Sequence, residues 1–158
     1  MYPFEFRPKG GFIDDKKIFV AMPFEDCFEK IYTDLIEPAV STLNEGRNSE
    51  DKLSLYRAKD PKYTRTGWLN ILENLFTSRV IIGVLTGDNP NVFYELGIAH
   101  ATQQIERQIL LAEKGYKIKF DLKDIIHCFY DLNGIEDSKN NLAVSINDTL
   151  KYYDLIND

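Results

Sequence analysis

Arg79–Ala101, RVIIGVLTGDNPNVFYELGIAHA, is the stretch on which the reading of the fold turns. Its first seven residues, RVIIGVL, are apolar without alternation, as expected of a strand buried on both faces. Asp88, Asn89, Pro90 and Asn91 are turn and capping types, and Asn89 as N-cap with Pro90 as first helical residue starts a helix. That helix carries Val92, Leu96, Ala99 and Gln103 along one stripe. Glu95, three residues after Val92 and four before Ala99, falls inside the stripe rather than opposite it. A carboxylate so placed is either an ion-pair partner for a cation at the core's rim or a reactive group at the strand ends, and spacing leaves both open.

Working outward, KIFVAM (Lys17–Met22) reads as a first strand stopped by Pro23. FEDCFEKIYTDLIEPAVSTLN then places Phe28, Ile31, Leu35, Ala39 and Leu43 at helical spacing, with Pro38 predicting a kink. LSLYRA (Leu53–Ala58) reads as a second strand. GWLNILENLFTS follows as a helix with Trp68, Ile71, Leu72, Leu75 and Phe76 on its apolar side, Trp68 being read as core. After the central strand and its helix come RQILLA (Arg107–Ala112) as a fourth strand, FDLKD as a connector, IIHCFYD (Ile125–Asp131) as a fifth strand and SKNNLAVSINDTLKYYDLI as a closing helix. Strands alternating with helices imply right-handed crossovers and an α/β three-layer sandwich: a five-stranded parallel sheet, flavodoxin-like or Rossmann-like. Residues 1–16 read as an N-terminal leader and 17–158 as one domain. In such sheets ligands bind beyond the carboxyl ends of the strands. That rule selects Met22–Phe24, Arg57–Asp60, Thr86–Asn91 and Asp131–Gly134.

Composition narrows the function. With 158 residues, 44% hydrophobic and 28% charged, the chain suits one globular domain. A formal charge of −6 and scattered basic residues exclude an electrostatic footprint for polymeric nucleic acid. Cys27 and Cys128 are far apart, and His100 and His127 have no companions at metal spacing, so no metal and reduced thiols are expected. The first residues lack signal-peptide character and no apolar run is long enough to span a bilayer, which predicts a cytoplasmic protein without a membrane partner. No Gly-rich dinucleotide fingerprint and no phosphate-binding loop of the Walker type occurs, and no cofactor is expected. An aromatic share of 13% and the Tyr152–Tyr153 pair lead us to expect a homo-oligomer.

The strand-end residues admit two readings each. Met22, Pro23 and Phe24 either cover the core or form an apolar wall for a nucleobase or sugar face. Arg57 and Asp60 form a solvated pair, or Arg57 neutralises a phosphate. Thr86, Gly87, Asn89 and Asn91 either build a turn and cap, or offer amides and helix N–H groups to sugar hydroxyls or an anion. His100, five residues after Glu95 on another helix face, belongs to the surface.

RVIIGVLTGDNPNVFYELGIAHA resembles the nucleoside 2-deoxyribosyltransferase family and its hydrolase relatives, whose pattern runs apolar strand, Asp-Leu-Thr-Gly, Asn-Pro-Asn-Val-Phe-Tyr-Glu-Leu-Gly-Ile-Ala-His-Ala. KIFVAMPF, YRAKD with GWLNILENLFTSRVII, and FDLKDIIHCFYD are similar to the family's other segments, so the likeness covers nearly all of the chain after the leader. The resemblance implies that Glu95 is the nucleophile attacking the anomeric carbon of a nucleoside or nucleotide, forming a covalent glycosyl-enzyme ester that water or a second base resolves. Tyr94, beside it in the motif, joins the substrate-binding set. Val84 stands where the family has Asp, and Asp88, a few residues along the same loop, is expected to take its catalytic place. The implied partner is a small-molecule nucleoside, nucleotide or NAD-like substrate. A more distant likeness to TIR-like NAD-cleaving domains gives a second enzymatic reading, and a nucleotide-binding sensor module with weak catalysis a third.

Overall fold

The computed structural model describes residues 12–57, 65–102, 105–119 and 122–157, the side chains at 65–66, 68, 105 and 153–157 excepted. At its centre is β3 (Ser78–Val84), every residue of which is buried. Parallel pairing on both sides builds a sheet of order β2-β1-β3-β4-β5, with β1 (Asp14–Ala21), β2 (Ser54–Arg57), β4 (Gln108–Glu113) and β5 (Ile126–Tyr130). The expected five-stranded parallel α/β sandwich is therefore the observed fold, and its order is the flavodoxin-like one, with the direction of winding reversing between β1 and β3. The boundaries differ by a few residues. β1 begins at Asp14, inside the stretch read as leader, because its first residues are exposed and polar and carry no apolar signal.

Alternation along the strands divides the core in two. Ile18, Val20, Val80, Ile82, Val84, Ile109 and Leu111 point to one face; Phe19, Ala21, Ile81, Leu85, Leu110 and Ala112 to the other. Right-handed crossovers put α1 (Glu29–Ile31), α2 (Glu37–Asn44) and the closing α5 (Ile135–Asn157) on the first face. α3 (Arg65–Thr77) and α4 (Pro90–Thr102) lie on the second. The kink expected at Pro38 takes a specific form. Tyr32–Ile36 is a π turn joining α1 to α2, in which the Glu37 N–H reaches back five residues to Tyr32 O. A proline lacks the N–H and crowds the carbonyl four residues before it, so a widened turn ahead of Pro38 relieves both.

At the amino end of the sheet, Arg79 is buried and ties three elements: its Nη1 meets Asp15 of β1 at 2.6 Å and its Nη2 donates to Leu150 O of α5 at 2.9 Å. Cys27 is exposed and Cys128 buried, both free. Tyr152 is exposed, while the side chain of Tyr153 lies outside the described residues, as does that of Trp68. Among the described residues no helix is long and apolar enough to cross a membrane.

Candidate active site

The winding reversal sets the C-terminal exits of β1 and β3 side by side, with Ala21 opposite Gly83 in register. Over these ends two loops meet. Met22 and Pro23 leave β1 buried, and Phe24 follows at 42% exposure. The β3 exit turns sharply: the Asp88 N–H donates to Leu85 O at 3.0 Å, with Gly87 at φ +90° in the third position, the arrangement a type II turn requires. Gly87 is also a close approach, since a Cβ there would lie 2.4 Å from Phe28 Cζ. Phe28, just ahead of α1, therefore closes over the turn.

Asn89 caps α4 as its residue type predicts. Its Oδ1 accepts from the Asn91 N–H at 2.9 Å and the Val92 N–H at 3.4 Å, and Pro90 opens the helix. Gly83 lets the helix settle onto β3, because a Cβ at Gly83 would stand 2.5 Å from Leu96 Cδ2. In this seat Val92, Leu96 and Ala99 are buried, and Glu95 is buried with them at 8% exposure. Among the described residues its carboxylate has neither a hydrogen-bond partner nor a cation, so the rim ion pair that spacing left open does not form there. Burial alone raises its pKa from the ordinary 4.5 to about 7. Asn91 and Tyr94, on the same helix, are exposed. His100 is exposed too, as read from its place on the helix.

Other predicted residues take structural parts. The Thr86 hydroxyl accepts from Tyr130 Oη at 2.9 Å and from the Glu113 N–H at 3.0 Å, binding the β3 exit to the ends of β4 and β5. Arg57 points to the α1 side of the sheet. Its Nη2 grips both oxygens of Glu29, at 3.1 and 2.9 Å, and its guanidinium lies 4.3 Å from the centre of the Tyr32 ring, so its charge is met within the chain. Asp60, expected as the other half of that pair, lies outside the described residues. Val84 is fully buried in the core on the α1, α2 and α5 face.

Asp88 has a left-handed backbone, φ +50°, and its carboxylate accepts from the Tyr116 hydroxyl and, at 3.4 Å, from Lys119 Nζ. The Tyr116 hydrogen bond above all holds its pKa below the usual carboxylate range, and burial with this same bond raises the Tyr116 phenol to about 12. Asp88 is thus held as an ionised acceptor, which suits binding a hydroxyl and not donating a proton. Tyr116 and Lys119 carry no sequence signal for this role, being 28 and 31 residues away in a stretch without periodicity; only Gly115, at φ +92°, marks a turn there. Beside Tyr116, at the β4–β5 end of the sheet, is a half-open hollow of about 550 Å³ that also touches Asp131 and Gly134. Glu95 does not line it. Among the described residues there is no cluster of metal-type ligands.

No family model matches the sequence, and no curated protein matches it. Among solved structures, a lysine decarboxylase from Francisella novicida aligns at 16% identity with a TM-score of 0.49, over 88% of this chain and 18% of that one. A 2-deoxyribosyltransferase from the psychrotolerant bacterium Bacillus psychrosaccharolyticus aligns at 16% identity with a TM-score of 0.56, over 78% of this chain and 90% of its own. With that enzyme the chain shares its fold, a parallel sheet wrapped by helices on both faces.

Proposed function

We propose that this protein cleaves or transfers the N-glycosidic bond of a nucleoside, with Glu95 as nucleophile. One observation carries the reading: a buried carboxylate without a cation among the described residues, held in the second turn of a helix that starts where the sheet's winding reverses. A carboxylate with few water contacts sheds little solvation on attack, and one whose pKa is about 7 is still ionised in a sizeable fraction of molecules at neutral pH. A Glu95 oxygen attacks the anomeric carbon as the carbon–nitrogen bond breaks. The bonding pair leaves with the base, which takes a proton from solvent. Water or the N–H of a second base then attacks the ester, losing a proton and returning Glu95 as carboxylate.

In this reading Phe24, over the buried Met22 and Pro23, offers an apolar face to the base, and Asn91 and Tyr94 flank the nucleophile. Asp88 accepts a hydrogen bond from a sugar hydroxyl. Thr86 and Gly87 shape the turn, and Asn89 aims the helix. Among the described residues Arg57, the cation expected to meet a phosphate, is already neutralised by Glu29, which favours an unphosphorylated nucleoside over a nucleotide or NAD. A binding module without turnover is the second reading; Val84, buried in the core where the resembled family has Asp, favours it.

The deciding experiment incubates the protein with mixed nucleosides, nucleotides and NAD and follows released base by chromatography, beside calorimetric binding. Base release by wild type, with a loss of about a thousandfold or more in Glu95→Gln, supports the glycosidic reading. Equal release by the variant, or binding without release, overturns it. Intact mass of the quenched wild-type reaction is expected to show one added glycosyl group.

A further inference from the structure

Two neighbouring strands leave the sheet by the same turn. At the end of β3 the Asp88 N–H reaches back to Leu85 O at 3.0 Å with Gly87 at φ +90°, and at the end of β4 the Tyr116 N–H reaches back to Glu113 O at 2.9 Å with Gly115 at φ +92°. Because β3 and β4 pair side by side, the two turns stand next to each other and their fourth residues meet: the Tyr116 hydroxyl donates to Asp88. The exits are also tied one step earlier. The Leu85 N–H donates to Leu111 O at 2.9 Å, and the Glu113 N–H donates to Thr86 Oγ1 at 3.0 Å. A non-glycine residue with a left-handed backbone persists where its surroundings hold it, and Asp88, at φ +50°, is held by these contacts.

The contacts leave Asp88 with acceptor capacity. Oδ1 accepts from Tyr116 and Oδ2 from Lys119 Nζ at 3.4 Å, whereas an ionised carboxylate offers about four acceptor positions. Lys119 Nζ also lies 5.8 Å from the centre of the Tyr116 ring, so one tyrosine steadies both charges. The side chains of Asp88 and Lys119 are 54% and 55% exposed. An open acceptor beside an open donor matches a group that donates and accepts at once. A sugar hydroxyl is such a group: its O–H goes to Asp88 and its oxygen accepts from Lys119. A phosphate is repelled by Asp88, and an ammonium by Lys119.

We propose that Tyr116 is a positioning residue for Asp88, and that Asp88 and Lys119 together select a ligand whose sugar carries a free ring hydroxyl. The proposal deepens the glycosidic reading and rests on its placement of the sugar at the β3–α4 loop.

The probes are adenosine and 2′,3′-dideoxyadenosine, which differ only in the ring hydroxyls, titrated calorimetrically into the full chain. Wild type is expected to bind adenosine about tenfold or more tighter than the dideoxy compound. Tyr116→Phe keeps the ring and its packing. In it adenosine is expected to weaken about fivefold or more while dideoxyadenosine stays within about twofold of wild type, a split that a general loosening of the fold would not give. Asp88→Asn and Lys119→Met are expected to show the same split, and adding Tyr116→Phe to Asp88→Asn to cost adenosine about twofold further at most, because the tyrosine acts through the carboxylate. NMR of the Asp88 carboxyl follows the grip directly: held below the usual carboxylate range chiefly by the Tyr116 hydrogen bond, it is expected to titrate higher in Tyr116→Phe. Equal binding of the two compounds by wild type, or no binding of either, overturns the hydroxyl site. A preference that survives Tyr116→Phe, or losses that add in full in the double variant, overturn the positioning role. The glycosidic reading fails separately, when base release is equal in wild type and Glu95→Gln while the hydroxyl preference stands.

Discussion

Glu95 carries a proton in the folded chain over a pH range in which the unfolded chain has released it. Its folded pKa, about 7, lies above the ordinary 4.5, so between those values the unfolded state binds fewer protons and stability falls as pH rises. The loss is complete above pH 7 and amounts to about 3 kcal/mol. Glu95→Gln removes it: the variant is expected to match wild type in denaturant midpoint near pH 4 and to exceed it at pH 8, the opposite of what loss of a stabilising ion pair would give. Chemistry runs the other way. A nucleophile must be ionised, so glycosidic turnover is expected to rise with pH through about 7 and then level, a limb read from the pH profile of kcat/KM. Helical spacing made the inward aim of Glu95 legible in the sequence, because Val92 and Ala99 fix the stripe around it. That it meets no cation among the described residues is not legible, since any pairing partner comes from another element. Asp88 was legible as a turn residue for the same local reason, and its partners Tyr116 and Lys119 were not.

Two glycines set how the elements around the site close. Gly87→Ala places a methyl against Phe28 in a backbone region that alanine resists, and thermal unfolding is expected to show a loss of about 1–3 kcal/mol. Gly83→Ala meets the end of Leu96, a flexible side chain, so part of the strain is absorbed by repacking that lifts α4 from β3. Its expected signature is a loss of turnover larger than its loss of stability. Asn89→Ala removes the α4 cap and is expected to cost about 1 kcal/mol in chemical denaturation. Elements with strong periodicity or fully apolar runs, β3 and α4 above all, were read within a residue or two. β1 and α5 read too short in the sequence, because exposed polar residues at their ends obey no period: Asp14–Lys16 extend the strand, and Glu136 and Asp137 separate the half-buried Ile135, where the helix starts, from the rest of its apolar face. The π turn was foreseen only as a kink, for Pro38 announces a disturbance without stating its form.

For the molecule as a whole, burial grades the strands. β3 is buried throughout and flanked on both sides, whereas β2 is a short outer strand without a buried residue. Native-state hydrogen exchange is expected to be slowest in β3 and the buried half of β1, and fastest in β2. Sheet order was not read from the sequence. Alternation of strands and helices establishes a parallel sheet, but placing β3 beside β1 depends on which faces of α3 and α4 match, a relation between elements and not a property of any one. The strut at Arg79 has a consequence for synthesis. It joins Asp15, among the first residues of the sheet, to the carbonyl of Leu150 near the last turns of α5, and α5 also supplies Leu142, Ile146 and Leu150 to one half of the core. A ribosome-bound chain that stops short of α5 leaves Val80, Ile82 and Ile109 on that half without the cover of Leu142, Ile146 and Leu150, so the nascent protein remains a substrate for chaperones until α5 has emerged.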